Sequence, residues 1–180
     1  MIDKENREER VLNEVRKLKP IKLMNSTELN PMFKYFLKFY EQREPKLKRV
    51  KLPSESFVVC FNHSQFKVLS KMMGRANKAE YGLMPNSRIS WKFRTGFVLN
   101  ILDNEDKLNC LIVLDDTKIK SEGELILKIA HEFLHYCEGY LKLNGGDLAN
   151  KLLSSITIQT MKEDLPSFQI PSDFLTLFKT

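Results

Sequence analysis

Between Glu122 and Leu141 apolar residues recur so densely that only a narrow polar strip is left. At about 100° per residue, Leu125, Ile126, Ile129, Ala130, Phe133, Leu134, Tyr136, Cys137 and Leu141 fill one broad arc. Glu124, Lys128, His131, Glu132, His135 and Glu138 share the other. A helix that is apolar over most of its circumference is a buried one, so its polar strip is expected to line a cleft. Ser121 stands three residues before Glu124, which is capping-box spacing and places the helix start at Glu122.

The same reading extends along the chain. Residues 4–18 predict a charged helix with Val11, Leu12, Val15 and Leu18 on one stripe, stopped by Pro20. Asn30-Pro31 predicts an N-cap and first-turn proline for a helix from Met32 to Gln42, whose Phe33, Phe36, Leu37 and Tyr40 form a core stripe. Residues 46–51 read as a basic linker. Ser56 to Phe61 is a strand, followed by a helix capped by Asn62 or Ser64 and closed by Gly74. His63 falls at that junction. Residues 75–85 read as a loop. Arg88 to Phe93 alternates polar and apolar and is expected to pair antiparallel with Phe97 to Leu102 through a Thr95-Gly96 turn. Cys110 to Leu114 is a more buried strand. Asn144-Gly145-Gly146 breaks the long helix, and Asp147 opens a second one, with Leu148, Leu152, Ile156 and Met161 on its apolar face, that Glu163-Asp164 and Pro166 end. Ser172-Asp173 caps a short apolar helix from Phe174 to Phe178. The sum is an α+β arrangement, a short and mostly antiparallel sheet packed on helices.

At 180 residues the chain suits one domain with a real core. Residues 1–50 are expected to form a basic helical N-terminal part, with 55–165 as the core that carries the chemistry. No apolar run is long enough to span a bilayer, and the first ten residues lack the apolar stretch of a signal peptide. Cys60, Cys110 and Cys137 are widely spaced in apolar surroundings, as reduced thiols in a cytoplasmic setting are. The formal charge of +6 is unevenly spread. Residues 1–100 carry 21 Lys/Arg against 10 Asp/Glu, and residues 101–180 carry 8 against 13. A basic first half points to a polyanionic partner, nucleic acid first. Lys46, Lys48, Arg49, Lys51, Arg88, Lys92 and Arg94 are the candidate contacts, and Trp91 could stack on a base.

The polar strip holds the chemistry. His131-Glu132-Phe133-Leu134-His135 is an H-E-x-x-H motif, and two of the chain's three histidines are in it. Residues at i and i+4 share a helix face, so both imidazoles can reach one Zn²⁺ at about 2.0–2.1 Å. Glu132 lies about 100° further round, placed to act as general base toward a water. A catalytic zinc takes three protein ligands and keeps one open position. Asp147 is the first candidate for the third, followed by Glu138 on the histidine face and Glu163 from a later helix. His63 is the upstream alternative.

Met73-Gly74-Arg75-Ala76, the strands 88–93 and 110–114, the His131–His135 motif and Gly146-Asp147-Leu148-Ala149-Asn150-Lys151-Leu152 together resemble SprT-like zinc metallopeptidases over roughly residues 30–155. The resemblance implies a zincin-like fold and a zinc endopeptidase, one branch of which degrades proteins crosslinked to DNA. Two family features are absent: the third histidine, with Asp147 near its place, and the cysteine zinc ribbon. Ala149-Asn150 is also similar to part of an ImmA/IrrE-type signature, with the carboxylate one position out of register. The competing class is a non-catalytic nucleic-acid-binding or structural protein on a degenerate zincin fold.

Overall fold

A computed structural model describes residues 4–74, 76–77, 88–89, 94–143, 147–153 and 155–175. The elements are α1 (Lys4–Lys17), β1 (Lys22–Met24), α2 (Ser26–Glu41), a 3-10 turn at Pro45–Arg49, β2 (Ser56–Phe61) and α3 (His63–Met73). Short β3 (Ala76–Asn77) and β4 (Arg88–Ile89) follow, then β5 (Gly96–Leu102), β6 (Leu108–Asp115) and a 3-10 turn at Asp116–Lys118. The chain continues through α4 (Glu122–Tyr140), α5 (Asp147–Leu152), α6 (Ser155–Glu163) and α7 (Ser172–Leu175).

The architecture is α+β around a mixed sheet of order β1-β2-β6-β5. β2 and β6 run parallel, with Ser56 opposite Cys110 and Phe61 opposite Asp115. The two outer strands are antiparallel to their neighbours. The parallel pair at the centre explains why Val58-Val59-Cys60-Phe61 is a continuous apolar run, because a strand covered on both faces needs apolar side chains on both. Val58, Cys60, Cys110, Ile112 and Leu114 point to one core with α2 and α4. Val59, Phe61, Phe97, Leu99, Leu111 and Val113 point to a second, with Val11 and Val15 of α1 and Phe66 and Leu69 of α3. The three cysteines are free and buried.

Several boundaries differ from the pattern-based reading. α2 begins at Ser26, because Asn25 and Glu28 form a capping box: the Thr27 amide donates to Asn25 Oδ1 at 2.9 Å and the Asn25 amide donates to Glu28 Oε2 at 3.0 Å. Pro31 therefore lies inside the helix rather than at its start. Residues 45–49 are not a solvated linker but a turn anchored by buried Leu47, with Val50 buried just after it. β4 pairs with β3, while β5 pairs with β6, so the expected hairpin of residues 88–93 with 97–102 does not form among the described residues. The helix expected from Asp147 through Met161 is two, α5 and α6. Trp91, Lys92, the glycine pair at 145–146 and the end of the 174–178 helix lie outside the described residues. Among the described residues, no helix is long and apolar enough to cross a membrane.

Candidate metal centre

α4 is capped at its start and held by α2 and β5. Ser121 accepts from the Glu124 amide at 3.1 Å, as its spacing predicts, although Glu124 answers by accepting from the Lys120 amide and not from Ser121. Phe133 stacks on Phe33 of α2 with ring centres 4.3 Å apart. Tyr40, fully buried, donates its hydroxyl to the Ala130 carbonyl at 2.8 Å. Asn100 of β5 donates to the Tyr136 carbonyl at 3.1 Å. A Cβ on Gly139 would strike that Asn100 amide, so the glycine is what lets β5 come this close to the helix. Helix rotation is fixed by these contacts, and with it the direction of the polar strip.

The strip carries His131 and His135 with Nε2 atoms 3.2 Å apart. Two ligands of a tetrahedral zinc, each at the usual bond length, stand ~3.3–3.4 Å apart. The pair is thus spaced as one edge of such a site. His135 turns its Nδ1 to the Glu138 carboxylate. That contact favours the tautomer with hydrogen on Nδ1 and the lone pair on Nε2. Desolvation, then neighbouring His135, then Lys128, push the His131 pKa down to about 3. His131 is therefore neutral at ordinary pH, with a lone pair to offer.

Glu132 is 7% exposed and faces the start of β5, where a Cβ on Gly96 would come within 3.4 Å of its Oε1. Two cavities meet at this point. One, of about 370 Å³, is lined by Gly96, Glu132 and His131. The other, of about 420 Å³, is lined by Gly96, Glu132 and His135. Among the described residues β5 ends the sheet order, and the cleft runs beside it.

The third donor stands differently for each candidate. Asp147 is the first residue of α5, and its side chain lies outside the described ones. Its neighbour Leu148 donates its amide to Glu138 Oε2 at 2.8 Å. Glu138, 1% exposed, thus has one oxygen at His135 Nδ1 and the other at Leu148. It meets the ring edge away from the Nε2 pair. Glu163 is exposed at the end of α6 and accepts from Gln159 at 3.0 Å. His63 is bonded through Nδ1 to buried Asp115 at 2.7 Å, at the end of β6. Among the described residues no group of three His, Cys, Asp or Glu side chains is set to hold a metal ion.

Of the basic candidates, Lys46, Lys48, Arg49 and Lys51 are exposed. Arg94 is not available as a phosphate contact: it is 8% exposed and donates to the Ser70 carbonyl at 3.0 Å. The side chains of Arg88 and Lys92 lie outside the described ones. Sequence reasoning missed Gly96 and Asn100, which only strand pairing brings to α4. It also left Lys128 without a role, although that residue sits in the polar strip one turn before His131. Comparison with protein-family models, curated proteins and solved structures finds no match to this chain.

Proposed function

We propose that the protein is a zinc-dependent endopeptidase of SprT-like, zincin-like type. The observation that carries this reading is the 3.2 Å approach of His131 and His135 Nε2 in a cleft that also holds Glu132. His131 and His135 would hold the ion, with Asp147 as third ligand. Bound zinc supplies Lewis acidity toward the scissile carbonyl and makes water a nucleophile near neutral pH. Glu132 accepts the proton of the attacking water and returns it to the leaving amine. The β5 edge orients an extended peptide by main-chain pairing, and Glu138 holds the His135 ring.

The test is metal analysis followed by proteolysis. About one zinc per chain, lost in the His131→Ala/His135→Ala double variant, is expected. Glu132→Gln should keep the metal and lose cleavage. A wild-type chain that takes up no zinc ends the proposal.

A second reading has its own observation. Lys46, Lys48 and Arg49 of the 3-10 turn and Lys51 just after it are exposed while Leu47 and Val50 are buried, a pattern that suits a phosphate-contacting surface. Combined with the first reading it gives a peptidase of DNA-associated proteins; alone, it gives a nucleic-acid-binding protein without catalysis. Duplex binding that does not weaken with salt would exclude it.

A further inference from the structure

The cavity of about 370 Å³ beside His131 and Glu132 is walled by Leu127, Leu153, Ile158 and Met161 and is lined by the cationic side chains of Lys128 and Lys118 and, with Glu132, by the carboxylate of Glu124. Lys128 sits on α4 three residues before His131 and four before Glu132, so it shares their face of the helix. Its ammonium donates to Thr95 Oγ1 at 3.2 Å, at the mouth of β5. An ammonium has three hydrogens to donate, and Thr95 takes one without neutralising the charge. Glu124, Glu132 and Asp115 act on Lys128 through space, but among the described residues none forms an ion pair with it. Burial is the larger influence and pulls its pKa down, against the opposing pull of Glu124, Glu132 and Asp115. Lys118 is exposed at the rim.

Such a recess is selective. A neutral apolar side chain gains the wall contacts but leaves the ammonium poorly solvated. A carboxylate gains charge-assisted hydrogen bonds from Lys128, which are about twice as strong as neutral ones. We propose that this cavity is a carboxylate-accepting substrate subsite, in which Lys128, aided by Lys118, binds an acid group on the peptide residue beside the scissile bond. The proposal rests on the peptidase reading for the word substrate, and on the cavity alone for the carboxylate. The acid has two possible sources, an Asp or Glu side chain and a chain-terminal carboxylate.

The experiment is fluorescence anisotropy on metal-free protein with three labelled, N-blocked peptides of otherwise identical sequence. One carries Glu and a C-terminal amide, one Gln and an amide, and one Gln with a free C-terminal carboxylate. At least one acid-bearing peptide should bind about tenfold or more tightly than the all-amide peptide, as one charge-assisted contact implies. Which one does so identifies the source of the acid. Lys128→Met should abolish the difference, and Lys128→Arg should keep most of it. Lys128→Gln, polar and neutral, serves the same purpose as Met if the Met variant melts early. Equal binding of all three peptides, no binding of any, or an unchanged preference in the Met and Gln variants overturns the subsite. Zinc-loaded protein then separates the two claims. Cleavage without acid preference leaves the peptidase and removes the subsite. Persistent acid preference in binding with no cleavage leaves an anion site and removes the peptidase.

Discussion

Glu138 joins His135 to Leu148: one carboxylate oxygen meets the imidazole Nδ1, and the other accepts the Leu148 amide at 2.8 Å. The side chain that steadies a histidine of the motif therefore also fixes the start of α5, where Asp147 stands. Orientation of the ring and placement of the next helix are one arrangement.

Replacing Glu138 should therefore cost twice. Glu138→Gln keeps the volume but offers one acceptor where two are used, so either His135 Nδ1 or the Leu148 amide faces an NH₂ group. Zinc affinity by chelator competition should fall about 10–100-fold. Thermal stability of the metal-free protein should fall too, since a buried donor without an acceptor costs about 1–3 kcal/mol. An unchanged affinity would remove Glu138 from the site.

The acid response of the metal-free protein should report His131. Its pKa is about 3 in the folded chain against an ordinary 6.5. Between those values the unfolded chain binds a proton that the folded chain does not. This contribution to stability is present in full above pH ~6.5 and lost as pH falls toward ~3, at up to about 1.4 kcal/mol per pH unit for one proton. Urea unfolding from pH 4 to 8 should show stability rising with pH over the lower part of that range, and His131→Asn should flatten the rise.

Gly139→Ala tests how α4 meets β5. The new methyl falls on the Asn100 side chain, which donates to the Tyr136 carbonyl across the interface. Overpacking of this kind costs about 1–3 kcal/mol, read as a lower melting temperature. Asn100→Ala combined with Gly139→Ala should recover part of the loss by making room. Failure of the double variant to recover any would show that the clash lies elsewhere.

Charge removal should separate structure from binding. Replacing Lys46, Lys48, Arg49 and Lys51 with Gln should leave folding nearly intact and flatten the salt dependence of duplex DNA binding, by up to about 0.9 per lost phosphate contact in the logarithmic slope. Arg94→Gln should do the reverse. Its loss leaves the Ser70 carbonyl without that donor, so melting falls while the salt slope stays.

What was legible in the sequence was what neighbours in sequence decide. Ser121, Asn62 and Gly74 mark helix ends correctly because capping is a contact within a few residues. His131 and His135 converge because four residues make about one helical turn, and a helix apolar nearly all round left its polar strip facing a cleft. Asn30-Pro31 misled because a stronger local signal, Asn25 with Glu28, lay just upstream. Partnership across the chain was the part tertiary structure decided. Residues 96–102 chose β6, Arg94 was drawn to Ser70, and Leu148 came to meet Glu138. Strand pairing and buried polar contacts depend on which distant groups offer a free donor or acceptor, and no periodicity along the chain encodes that choice.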